Sequence, residues 1–288
     1  MGKIITNREL IDAPPIAPLR YGLFTAARGA TLTTRMIGSG LQFLSDHCGG
    51  AELYDQTCEV SPVKEFTEGS DLMGADPYWI VARKRCGTVG RTGTEMLSAV
   101  RQQLISAEQT LVESVVWDGA GVAGATPTLT GAGATVVTPG APGAGAAIAA
   151  LEEAFYDVSG YQGVIHINMR GYAAIRYAGL MDPAERVAGV YKTPMGTSLS
   201  IGSGYGITGP AGVAPAAGFV WAFITSPITV WRSGILPQPD PRQTLDRTLN
   251  QWDVVAEEVF AHTWDCPDVF AVQVPIAAPA TAATPAVP

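Results

Sequence analysis

The sequence predicts an α+β protein, on three observations. One long capped helix stands out between Thr92 and Trp117, and several short runs of β-branched and aromatic residues read as strands. In the second half a helix, a strand and a helix follow one another before the chain ends in strands. These elements are spread over 288 residues, enough for one large domain or two smaller ones with a sizeable core. Charged residues make up only 15% of the chain, while 33 glycines and 21 prolines supply many turns and extended segments. A folded protein with neutral surfaces is therefore expected, and neutral surfaces suit contacts with partners. The formal net charge of −8 gives no electrostatic support for tight binding to nucleic acid or to a membrane surface.

Taken in order, the first 35 or so residues, with IDAPPIAPLRYGLF, read as an extended arm rather than a packed element. Pro14, Pro15 and Pro18 break helix and sheet hydrogen bonding there. TTRMIGSGLQFLSDHCGG holds one short helix before a Gly-Gly break. Between Ala51 and Gly90, ELYDQTCEV and PYWIVARKRCG read as strands flanking the polar excursion SPVKEFTEGSDLMGAD. Together they predict a long two-stranded ribbon, marginal alone and in need of a neighbour. Seven acids fall between Glu52 and Asp76, and Lys64 is the only Lys or Arg between Arg35 and Arg83. A solvated pair of Lys64 with Glu65 or Glu68 would contribute little.

The long helix has capping-box spacing at Thr92 and Glu95, and Leu97, Val100, Leu104, Ala107, Leu111 and Val115 recur at three- and four-residue steps. DGAG ends it. The uncharged, low-complexity run from Ala120 to Leu151 reads as a connection with a short strand at ATVVT. AAIAALEEAFYDV is then an amphipathic helix, GVIHINM a buried strand and RGYAAIRYAGLM another helix. GSGYGITG, Gly202 to Gly209, lacks both dinucleotide-loop spacing and a clear following helix. His166, flanked by Ile165 and Ile167, reads as a satisfied core histidine. Strands follow in GFVWAFITSPITVWRSGI, in NQWDVVAEEVF and in PDVFAVQVP, and the tail IAAPATAATPAVP has the composition of a flexible extension.

NQWDVVAEEVF carries the most pointed pattern. With period two, Trp252, Val254, Ala256 and Phe260 share one side, and Asp253, Val255 and Val259 share the other. Glu257 and Glu258 sit among them, one carboxylate on each side. Pairing with arginines such as Arg247 is one explanation.

Cys48, Cys58, Cys86 and Cys266 show no C-x-x-C spacing, and MGKIITNREL lacks the apolar core of a signal peptide. A reduced cytoplasmic origin with the cysteines as small core residues is expected. His47–Cys48 has no second paired ligand motif, so neither a metal nor a cofactor is expected. Prolines interrupt the apolar run GPAGVAPAAGFVWAFITSPITVW, which excludes it as a transmembrane helix. The absence of G-x-S-x-G, H-E-x-x-H and a phosphate loop points away from a hydrolase or lyase.

A Pro-rich arm, an acidic ribbon, a long capped helix, a helix–strand–helix lobe and closing strands make a recognisable order. Over about residues 1–275 it resembles the major capsid protein of tailed bacteriophages, the Hong Kong 97-type fold. VIHINMRGYAAIRYAG and AEEVFAHTWDCPDVFAV look particularly like family counterparts. The resemblance implies an N-terminal arm at 1–35, a lead-in segment and extended β-ribbon loop at 36–90, and a peripheral domain with its spine helix at 91–135. It further implies an axial domain at 136–225, return strands of the peripheral domain at 226–275, and a flexible tail at 276–288.

The implied function is structural. Hexamers and pentamers of the chain would assemble into an icosahedral shell around double-stranded DNA, which it would meet by non-specific proximity only. Portal and scaffolding proteins, and a decoration protein, are the further partners implied; there is no membrane partner. The location would be the virion capsid, assembled in the bacterial host cytoplasm. No scaffolding-like region precedes the arm, which implies either a separate scaffolding protein or prior removal of that region, and an initiator-like Met1 favours the former. The alternative is an encapsulin-type shell enclosing a cargo enzyme. In part of the family a Lys on the extended loop of one subunit joins an Asn on the peripheral domain of another, assisted by a Glu. The resemblance carries these roles to Asn250 and Glu257, by their spacing, and to Lys64, by its position on the ribbon. Glu257, between Val255 and Val259, would be the base, with a pKa raised by desolvation.

Overall fold

The computed structural model describes residues 20–45, 48, 71–87, 92–131, 133–180, 186–187, 189–236 and 245–276. Among these residues the strands form three sheets, and most of the interior falls into two large apolar cores.

The first core lies between a long helix and a five-stranded sheet. Helix α3 (Gly93–Asp118) starts at a complete capping box between Thr92 and Glu95 and stops at Gly119, which adopts the left-handed conformation. It rests on β4 (Tyr78–Gly87) and β13 (Gln251–Trp264), which pair antiparallel from Phe260↔Tyr78 to Gln251↔Gly87. The other edge of β13 takes β11 (Ile228–Ile235) and, near its start, β12 (Leu245–Asp246); β1 (Arg28–Thr31) adds to β11 in parallel. The period-two pattern explains the geometry. Val254, Ala256 and Phe260 turn into the core beside Tyr78, Ile80 and Ala82 of β4.

The second core lies under a seven-stranded sheet in the order β5-β14-β10-β6-β9-β8-β7. These strands are β5 (Thr135–Val136), β6 (Val164–Asn168), β7 (Arg186–Val187), β8 (Val190–Lys192), β9 (Ser198–Gly202), β10 (Phe219–Thr225) and β14 (Phe270–Pro275). Helices α4 (Ala144–Ser159) and α5 (Met169–Tyr177) pack on it through residues such as Leu151, Phe155 and Ile175. A small third cluster joins Leu41 and Ala75 to Val259 and Ala261 of β13. Leu41 and Ala75 are paired residues of the two-stranded sheet made by β2 (Leu41–Ser45) and β3 (Asp71–Ala75).

Four expectations need correction. The arm does not run extended to residue 35: α1 (Leu23–Ala26) buries Leu23, β1 pairs with β11, and α2 (Thr34–Ser39) follows. Their apolar residues find cover within the same chain. PYWIVARKRCG is not one arm of a ribbon, because its apolar inner face draws β4 into the five-stranded sheet. The antiparallel pair observed at that place is β2–β3, while ELYDQTCEV lies outside the described residues. The return of 226–275 to the first lobe ends at Trp264, since β14 pairs with β10 and β5 in the seven-stranded sheet. Finally, Cys48 and Cys266 are not separate core thiols but are joined in a disulfide across 218 positions. No described helix is long and apolar enough to cross a membrane.

Candidate functional site

Helix α3 carries two buried carboxylates that organise the elements around it. Periodicity marks Leu111 as a core position, but Leu111 is exposed, and Glu108, Val112 and Glu113 face inward instead. Glu113 accepts from the Leu23 amide at 3.1 Å and the Gly204 amide at 3.0 Å, joining α1 and the loop after β9 to the helix. Burial pushes its carboxyl up, and the backbone N–H groups oppose the shift. This contact also explains GSGYGITG. A Cβ on Gly204 would lie 1.9 Å from the Thr110 carbonyl oxygen, and one on Gly206 would lie 2.9 Å from the Trp117 ring. Close approach to α3, not phosphate binding, accounts for these two glycines.

One turn away, Glu108 meets Arg232 of β11 and Glu258 of β13. The Arg232 guanidinium donates to Glu108 Oε2 at 2.9 Å and to the two Glu258 oxygens at 3.0 and 3.3 Å, and lies over the Phe24 and Phe260 rings. Two buried carboxylates share one partly exposed cation in a seam between helix and sheet. Burial raises the Glu108 carboxyl to about 7; Arg232 opposes that shift and Glu258 adds to it.

His166, His262 and Glu152 are also satisfied. His166 accepts at Nδ1 from Tyr205 and donates at Nε2 to Thr225, whose own hydroxyl donates to the Ser226 carbonyl. Burial, with a smaller contribution from His262, lowers its pKa to about 3, so it is the neutral core histidine that the sequence predicts. His262 donates to the Pro127 carbonyl and is lowered by burial to about 4. Glu152 of α4 accepts from the hydroxyls of Thr193 and Thr197.

The outward surface differs in kind. Alternation along β4 places Trp79 and Val81 outside at 52% and 53% exposure, on the face opposite the core. In the β2–β3 pair, Leu44 and Leu72 sit directly opposite one another at 57% and 63% exposure. Beyond Val81 the same face of β4 becomes basic, with Arg83 and Arg85 both bonded to Asp253, whose carboxyl they hold well below its ordinary range.

Of the predicted linkage residues, Asn250 and Glu257 are described and lie apart in one chain. Lys64 lies outside the described residues. Asn250 is exposed in the turn before β13, with φ 51°. Glu257 is half-buried, whereas Glu258 is the fully buried carboxylate and pairs with Arg232, not Arg247. Because 251–257 are strand, Asn250 and Glu257 of one chain are separated by roughly 23 Å. The periodicity of β13 foretold a carboxylate on the core side, but nothing local pointed to Glu108, Glu113 or the cysteine pair.

No family model and no curated protein matches the chain. Solved structures do. The capsid of a native GTA particle aligns with TM-score 0.58 at 13% identity, covering 94% of this chain and 96% of that one. The capsid of an empty GTA particle gives 0.57 at 14% identity, with the same 94% and 96% coverage. Gordonia phage Cozz gives 0.54 at 13% identity, covering 97% of this chain and 92% of that one. The fold is the Hong Kong 97-type phage capsid fold. Because the match covers 94% of the chain, the likeness extends well beyond a single sheet.

Proposed function

We propose that this chain is a phage major capsid protein, whose copies associate as hexamers and pentamers into a closed icosahedral shell around double-stranded DNA. The observation that supports this reading best is a fold match running through nearly the whole of two particle capsid chains. The exposed leucine pair of β2–β3 and the Trp79–Val81 face of β4 then serve as contact surfaces for neighbouring copies. The acidic balance of the chain keeps packaged DNA from adhering to the inner wall. Portal, scaffolding and decoration proteins would meet the shell, which forms in the host cytoplasm. Sizing the purified 30.1 kDa chain tests the reading, with megadalton closed particles in electron micrographs as the expected result. A monomer under all assembly conditions refutes it, and particles filled with one enzyme would favour the encapsulin-type alternative over the DNA shell.

Within the shell, Lys64 of one copy would attack the side-chain amide carbon of Asn250 on another, forming an isopeptide bond and releasing ammonia. The extended β13 between Asn250 and Glu257 requires the assisting Glu257 to come from a different copy than its Asn250. Boiled mature particles should give ladders of linked subunits, lost in Lys64→Ala and in Asn250→Ala. A single subunit band removes this step and leaves the shell assignment intact.

A further inference from the structure

The base of the β2–β3 pair is held to the rest of the fold by little packing. Its contact with β13 runs through Leu41 and Ala75, while Leu44 and Leu72 face outward. A two-stranded sheet with so little cover is marginal without further support. Just beyond β2, the chain brings Cys48 to Cys266, which lies two residues after the end of β13. The two Cα atoms are 5.3 Å apart, within the range a disulfide spans. Both sides of the junction are positioned independently of the bond. Ser45 donates to the Asp265 carbonyl at 2.9 Å, the Cys266 amide donates to Ser226 Oγ at 3.1 Å, and Tyr161 lies 3.0 Å from Cys266 Sγ. Cys266 is buried and Cys48 half-buried, so one sulfur can be reached from solvent.

We propose that Cys48 and Cys266 form a redox-controlled staple for the base of the β2–β3 pair. As two thiols they leave that base held by packing and the Ser45 hydrogen bond. When an external low-molecular-weight disulfide reaches them, they fix it covalently to the end of β13. The Cys48 thiolate attacks one sulfur of the reagent and expels the first reagent thiolate. The Cys266 thiolate then attacks Cys48 Sγ and expels the second. The protein loses two protons and two electrons, and the reagent disulfide is reduced to two thiols. A cytosolic thiol pool holds the staple open, and an oxidising exterior closes it. The inference concerns the single chain and does not rest on shell assembly.

The test compares the full chain in dithiothreitol with the same chain after exchange into oxidised glutathione. Peptide mapping without reduction should show a Cys48–Cys266 linkage in the second sample only, and Cys58→Ser and Cys86→Ser should each retain it. Amides of Leu41–Ser45 and Asp71–Ala75 should exchange about tenfold more slowly in the oxidised sample. The melting temperature should rise by roughly 5–10 °C on oxidation. In Cys48→Ser, and independently in Cys266→Ser, neither quantity should respond to oxidant. A different cysteine pairing, or equal exchange at β2–β3 in both states, overturns the proposal. So does stoichiometric zinc that shields both thiols until chelation, because Asp265 stands beside the two sulfurs as a third potential ligand.

Discussion

Strands β6 and β4 are both rich in apolar residues and meet opposite fates. All five residues of β6 are buried, with β9 and β10 on its two edges and helices packed on its sheet. Strand β4 pairs with β13 along one edge among the described residues, and it alternates buried Tyr78, Ile80 and Ala82 with exposed Trp79 and Val81. The first strand lies wholly inside its lobe, where His166 and Glu152 find hydrogen-bond partners. The second leaves aromatic and aliphatic surface for something outside the chain. The β2–β3 pair, with Leu44 opposite Leu72, shares that character. The difference is one of position: β6 is an interior strand of its sheet, whereas β4 shows one face to the outside among the described residues.

Substitutions should separate the two. The largest loss is expected from Arg232→Ala, which leaves the buried carboxylates of Glu108 and Glu258 without their cation and should cost about 3–5 kcal/mol in denaturant unfolding. A loss below 1 kcal/mol would mean that the seam is wetter than its geometry shows. Next comes Ile165→Ala in β6, where a fully buried side chain is removed and about 2–5 kcal/mol should be lost.

A smaller effect depends on pH. Folding raises the Glu108 carboxyl from 4.5 to about 7, so the folded state binds that proton more tightly than the unfolded chain. Its contribution is fully present below about pH 4.5 and is lost as pH rises through 7. Glu108→Gln should therefore gain on the parent by about 1–3 kcal/mol between pH 5 and pH 8. His166 and His262 have lowered values and give the opposite slope below about 6.5. They do so in both proteins and cancel in the difference. A constant gap across the window would show that Glu108 does not titrate there.

The smallest effect on stability is expected from Trp79→Ser and Leu72→Ser. Each should change the unfolding free energy of the isolated chain by no more than about 0.5 kcal/mol. Both should nonetheless weaken self-association, measured by sedimentation. A large stability loss with normal association would reverse the contrast between β4 and β6.

Much of this architecture was legible in local pattern. Thr92, Glu95 and Gly119 mark both ends of α3 because capping is a matter of neighbouring residues. The alternation of β13 and the apolar run of β6 likewise carry their own periods. What escaped was long-range. Leu111 ranks as core and Glu108 as surface by residue type, but Arg232, 124 positions away, makes the carboxylate the buried partner. The amides that hold Glu113 are 90 and 91 positions away. The same distance in sequence hid the sheet to which β14 belongs and the pairing of Cys48 with Cys266. Of the candidate site residues, the sequence favours Glu257 as the desolvated carboxylate, but it is half-buried, and the neighbouring Glu258 takes the core side of β13 with Arg232.

The path of the chain between the two large sheets has a consequence for how such genes can recombine. After β10 the chain crosses to the five-stranded sheet through Ser226 and Pro227, and after β13 it returns to place β14 between β10 and β5. Exchange of one continuous stretch ending near residue 225 would leave the recipient's β14 inside the donor's sheet. There it must match Phe219–Ile224 on one side and Thr135–Val136 on the other. A viable hybrid needs either a second breakpoint near residue 265 or parents whose β14 strands are interchangeable. The two lobes should therefore tend to be inherited together, despite having separate cores.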